Sequence, residues 1–144
     1  MHVQIAPLLG LAACLIVLGL ALARGGPAER WGAFIVLAGT GVYSLIVFLL
    51  PPSVQPLVSL LCDGLYGFAF LMLALRYASP WLGGAMLLQA IQFSLHAYYI
   101  IGERPHDRTY GLVNNLNSIG VLICILLGIM VTWRKQVRKA RAGK

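Results

Sequence analysis

Residues 112–133 read LVNNLNSIGVLICILLGIMVTW, and residues 134–144 that follow read RKQVRKARAGK. An uncharged run of 22 residues, closed by a tryptophan and then by a basic segment, is the pattern of a membrane-crossing helix with its positive flank. Four further apolar runs precede it, over residues 80–101, 57–75, 31–50 and 5–23. Each has about the 20 residues needed to cross a hydrocarbon core. Backbone amides in lipid must be satisfied within the segment, and the runs lack the alternation of barrel strands, so helices are expected. The expected fold is an all-α integral membrane protein: a bundle of five transmembrane helices over residues 1–133, with residues 134–144 a basic cytoplasmic tail. Four crossings plus a re-entrant segment is the alternative.

Composition points the same way. The 144 residues are 60% hydrophobic and 10% charged, and the mean hydropathy is +0.85. A soluble domain carries about 25% charged residues, so this chain cannot cover a water-facing surface. The net charge of +7 is concentrated at one place: Arg134, Lys135, Arg138, Lys139, Arg141 and Lys144 hold six of the 11 basic residues. The rest of the chain is nearly neutral, which argues against nucleic acid as a partner and for the lipid bilayer, including its anionic head groups. Cys14, Cys62 and Cys124 lie inside apolar runs without metal-ligand spacing and read as small buried hydrophobes. The first seven residues contain no Lys or Arg, so the first run is expected to be a retained helix, not a signal peptide, although Ala21-Leu22-Ala23 resembles a cleavage site.

The breaks between runs are chemically sensible. Arg24-Gly25-Gly26-Pro27 ends the first, Pro51-Pro52 through Pro56 turns the chain after the second, and Ser79 precedes Pro80 as an expected helix cap. Residues 103–111 form the one strongly polar loop. With the tail inside, the cytoplasmic segments carry Arg24, Arg30, Arg76 and the six tail residues, against Arg104 and Arg108 outside. This positive-inside bias puts the N-terminus in the periplasm and the C-terminus in the cytoplasm, and Trp31, Trp81 and Trp133 at the cytoplasmic interface as anchors. The preference for Arg over Lys points to a bacterial inner membrane.

The polar residues inside the runs carry the functional information. In the fourth, Gln89, Gln92, His96 and Tyr99 recur at spacings that share one helical face. Ser59, Asp63, Tyr66 and Phe70 do so in the third, and Asn114, Asn117 and Ser118, with Asn115 nearby, in the fifth; the second offers Thr40, Tyr43 and Ser44. Counting residues from the expected helix ends, Asp63 lies ~9 Å deep and His96 and Asn117 ~7.5 Å deep, one level of the outer leaflet. An ionised Asp63 facing lipid would cost several kcal/mol, so it is expected to face His96, Tyr99 or the asparagines. Asp63, Tyr66, Gln92, His96, Tyr99, Asn114 and Asn117 are therefore the candidate ligand-binding pocket. The plainer alternative is interhelical hydrogen bonding worth about 0.6–2 kcal/mol per pair.

Several chemistries are disfavoured. A Schiff-base lysine is missing, since all three lysines lie in the tail. A bis-histidine haem needs a second intramembrane histidine, leaving only Met72, Met86, Met130 or another subunit as the other ligand. A metal site would draw on Asp63, His96, His106 and Asp107, with Cys62, without a supporting motif. A quinone head group suits a histidine, a tyrosine and an amide, a pattern too common to identify it. A Ser-His-Asp arrangement would need Ser59 or Ser94, and no nucleophile elbow is present. Gly19 and Ala23, four apart, suit close helix packing, either within the bundle or against a partner.

Three functions follow as expectations. Short loops and the lack of a catalytic motif favour a non-enzymatic accessory or interaction subunit of a larger membrane complex or homo-oligomer. The first alternative is a binding or transport module for a small molecule, ion or proton using Asp63 and His96. The second is a membrane-embedded enzyme using those two residues on a lipid-linked substrate.

Overall fold

The computed structural model describes residues 5–105 and 107–143. The chain is all-helical: α1 (Ile5–Arg24), α2 (Pro27–Leu49), α3 (Gln55–Tyr77), α4 (Pro80–Ile101) and α5 (Arg108–Ala142), with no strand among the described residues. Three of them, α2, α3 and α5, are long and apolar enough to cross a membrane. α1 is apolar over Leu9–Arg24, and α4 has 22 residues but carries Gln89, Gln92 and His96.

Several boundaries differ from the sequence reading: α1 ends at Arg24, α2 spans Pro27–Leu49, α3 spans Gln55–Tyr77, and α5 starts at Arg108 and ends at Ala142. α2 starts at Pro27, four residues before Trp31, because proline at the first helical position is preset for the helix and Glu29 reaches back to accept from the Gly26 N–H at 2.8 Å. α5 does not stop at Trp133 but runs unbroken to Ala142, since nothing in RKQVRKARA breaks a helix. Ser79 occupies the cap position of α4 without a side-chain cap hydrogen bond, so Pro80 alone marks that start. α3 is closed by Ala78 in the left-handed region (φ 47°), a conformation that costs an alanine about 1–2 kcal/mol.

The helices form a ring. α1 packs on α2 and α5, α2 also on α3 and α5, and α4 lies between α3 and α5. At the end bearing the basic segment, Glu29 of α2, Trp81 of α4 and Thr132 of α5 meet, and the Arg24 guanidinium sits 4.8 Å from the centre of the Trp133 ring. The opposite end holds the loop between α4 and α5. Successive helices therefore run in alternating directions, and the polar faces of α3, α4 and α5 come to one height.

The apolar core fills the half nearest the basic end, around Val17, Ala21, Phe70, Leu82, Ile125 and Ile129. Trp81 is its keystone. It is only 9% exposed, so it is not the interfacial anchor its sequence position implied, whereas Trp31 and Trp133 are exposed. Its indole fits between two glycines: a Cβ at Gly32 would lie 2.6 Å, and one at Gly128 2.5 Å, from the ring. The outer face of the ring is covered by apolar side chains such as Phe48, Leu65, Leu75 and Leu87. Gly19 also lies on the outside, with nothing within 4 Å of its Cβ position, so it does not pack the bundle internally.

Candidate functional site

The half of the bundle away from the basic end is polar and hollow. Asp63 and Tyr66 project from one face of α3, and Gln89, Gln92 and His96 from one face of α4, as residues three or four apart must. His96 is 6% exposed. Its Nδ1 is hydrogen-bonded to Asp63 Oδ2, joining α3 to α4. One turn deeper on α4, Gln92 Nε2 donates to Asn114 Oδ1, and Asn117 Nδ2 donates to Gln92 Oε1 at 3.1 Å, joining α4 to α5. Both ends of the Gln92 amide are thus engaged.

Around these groups lies a cavity of about 570 Å³ to which all five helices contribute. Asp63, Tyr66, Gln89, Gln92, His96, Asn114 and Asn117 supply its polar wall, with Leu88, Val121 and Leu122 among the apolar residues. Tyr66 reaches it through space left by Gly39, where a Cβ would overlap the phenol oxygen, and its hydroxyl donates to the Val36 carbonyl at 3.2 Å. The cavity reaches the bundle surface, where Leu9, Asn115, Ser118 and Ile119 of its lining are exposed. A second cavity of about 370 Å³ opens toward the α4–α5 loop, lined by Gln55, Ser59, Arg104, Pro105 and Tyr110 among others. His96 and Tyr43 line both, so His96 stands between the loop end and the interior.

Two buried polar atoms of the α4 face have no hydrogen-bond partner: His96 Nε2 and Gln89 Oε1. Each such atom costs about 1–3 kcal/mol if left unpaired. The Asp63 carboxylate fixes the His96 ring through Nδ1, and Nε2 is left without a partner. Ser94 is not part of this arrangement, since its hydroxyl donates to the Ala90 carbonyl on an exposed face. Ser59 is buried and lines the loop-end cavity with His96, yet Nε2 has no hydrogen-bond partner, so no Ser-His-Asp relay is assembled.

Of the sequence-derived candidates, the bundle brings together Asp63 with His96 and Gln92 with Asn114 and Asn117, and sets Tyr66 in the same cavity wall. Tyr99 is placed differently. Its hydroxyl donates to Asp107 Oδ1 at 2.7 Å, tying the end of α4 to the start of α5. Asp107 also caps α5 by accepting from the Tyr110 N–H at 2.8 Å, and these bonds hold its carboxyl below the ordinary carboxylate range. Asp107 is thus spent on the cap and Asp63 on His96; His106 lies outside the described residues. Among the described residues no group of three or more His, Cys, Asp or Glu converges as a metal site.

Sequence reasoning missed the polar cluster at the opposite end. Glu29, 3% exposed, accepts from Gly26 N–H, from Trp81 Nε1 at 3.0 Å and from Thr132 Oγ1 at 3.2 Å. The signal was a lone acid three residues after a Gly-Gly turn, which reads locally as a cap; its two distant donors are invisible to spacing. Comparison with known proteins leaves the site to stand on its own geometry: no protein family, no curated protein and no solved structure matches the chain.

Proposed function

We propose that the chain is a five-crossing protein of a bacterial inner membrane, with a periplasmic N-terminus and a cytoplasmic basic tail, that binds a small molecule in its interior cavity. Asp63, Tyr66, Gln92, His96, Asn114 and Asn117 form the polar wall of that site. The orientation is supported by the basic residues at one end of the ring, Arg24, Arg30, Arg76 and the tail, against Arg104 and Arg108 at the other. One observation carries the binding reading: a buried imidazole, held by Asp63 through Nδ1, leaves Nε2 unpartnered beside a cavity of about 570 Å³. Ligand pockets fall in the range of roughly 300–1,000 Å³, apolar with a few converging polar groups.

The test is mass spectrometry of the protein released intact from mild detergent. The wild-type chain is expected to carry a non-phospholipid molecule of a few hundred daltons that Asp63→Asn and His96→Ala lose while keeping their helix content. Identical spectra for all three would overturn the reading.

A second reading, an accessory subunit, is supported by Gly19 and Ala23, which lie four apart on the outward face of α1. It predicts that Gly19→Leu breaks up an assembly seen with the wild-type chain. A wild-type particle of single-chain mass in native detergent micelles counts against self-association.

A further inference from the structure

The polar atoms of the interior cavity divide into those already engaged and those left over. Gln92 is bonded at both ends of its amide. The hydroxyls of Tyr66 and Thr40 both donate to the Val36 carbonyl, and Ser118 and Ser44 donate to carbonyls one turn back on their own helices. Among the fully buried polar atoms of the described residues, His96 Nε2 and Gln89 Oε1 have no hydrogen-bond partner. These residues are seven apart, two turns on the same face of α4, so their Cα atoms stand about 10 Å apart along the axis. Gln92 lies between them and is held back by the asparagines of α5.

A ligand that satisfies both atoms must offer polar groups at two separated points. An amine or a simple alcohol offers one. A phosphate head group is disfavoured because no Lys or Arg is among the described residues that line this cavity. A six-membered ring with hydroxyls at opposite ends carries two polar groups about 5.5 Å apart, each able to hydrogen-bond a partner about 2.8 Å beyond it. A hydroxyl donates to the Gln89 carbonyl oxygen and meets His96 Nε2 as donor or acceptor alike. Leu88, Val121 and Leu122 suit the ring faces, and the exposed lining residues Leu9 and Ile119 give an apolar tail a route to the lipid.

Resting on the reading of the cavity as a ligand site, we infer that it takes the head group of a lipid-soluble para-quinol, held between His96 Nε2 and Gln89 Oε1.

The experiment uses the full chain in lipid nanodiscs with three probes: decylubiquinol kept reduced, its bis-O-methyl ether, and dioleoylglycerol as a hydroxyl-bearing lipid without a ring. Saturable binding of the quinol is expected, with the ether and the glyceride each at least about 10-fold weaker, the loss of one good hydrogen bond. Gln89→Leu and His96→Phe should each weaken the quinol about 10-fold and leave the ether nearly unchanged. Equal binding of quinol and ether by the wild-type chain, equal binding of the glyceride, or no saturable quinol binding overturns the inference, and none of these needs a variant to fold. If the quinol fails while the wild-type chain still carries another molecule that Asp63→Asn loses, the cavity reading stands and only the head-group assignment falls.

Discussion

Trp81 and Glu29, 52 residues apart in the chain, meet at the basic end of the bundle, where the indole Nε1 donates to the carboxylate Oε1 at 3.0 Å. The carboxylate also receives Gly26 N–H and Thr132 Oγ1, so one side chain fastens the α1–α2 turn, α4 and α5 together. Removing an acceptor that serves three donors strands them, and buried unpaired donors cost about 1–3 kcal/mol each. Glu29→Ala is expected to lose about 2–4 kcal/mol in reversible unfolding from detergent micelles, and Glu29→Gln less, because its amide keeps one acceptor oxygen. A variant as stable as wild type would show that the cluster carries no weight.

The seat of the indole gives a steric counterpart. A methyl at Gly128 would press on Trp81 Cδ1 and Nε1, rigid atoms of a buried ring. Gly128→Ala should destabilise by about 1–3 kcal/mol, the usual cost of overpacking. In a Trp81→Leu background the same change should cost far less, and the difference is read as a coupling energy in a double-mutant cycle.

At the other end, Asp63 and His96 should behave as a unit. Breaking a buried pair strands the remaining group and typically costs about 3–5 kcal/mol, whereas replacing both partners by apolar residues is often neutral. Asp63→Leu and His96→Leu are expected to be separately destabilising, and the double variant closer to wild type than either. Additive losses on unfolding would mean that the two side chains do not support each other.

Asp107 predicts a pH dependence confined to the loop end. The Tyr110 N–H, first, and the Tyr99 hydroxyl favour its ionised form, so its folded pKa lies below its unfolded value. The cap is therefore fully present above about pH 4 and is lost as the pH falls through the lower folded value. Hydrogen exchange at Tyr110 and Gly111, corrected for the intrinsic rate, should quicken as the pH drops below about 4. Asp107→Asn should remove the pH dependence. Unchanged protection at low pH would contradict the assignment.

The five helices were legible in the sequence because apolar runs bounded by Gly, Pro and Arg leave little choice, and so was the shared face of Gln92 and His96. Tertiary partners were not. Helical periodicity said that Tyr99 shares a face with His96, but Tyr99 lies near the helix end, and Asp107, only eight residues on, offered a local acceptor. Trp81 looked like an interfacial anchor because its position beside Pro80 reveals nothing of Gly32 and Gly128, which vacate its seat from two other helices. The unpartnered atoms of His96 and Gln89 were equally out of reach, since a missing partner is a property of the assembled ring.

The continuity of α5 from Arg108 to Ala142 has a mechanical consequence. At about 1.5 Å per residue its 35 residues measure about 52 Å, against a hydrocarbon core of about 30 Å. The nine residues after Trp133 therefore stand as a rigid post that lifts Arg138, Lys139 and Arg141 roughly 8–12 Å past the tryptophan, about one Debye length at physiological salt. Because the post is one piece with the helix that carries Asn114 and Asn117, a force applied to its charged tip is delivered as tilt or rotation of the cavity wall itself.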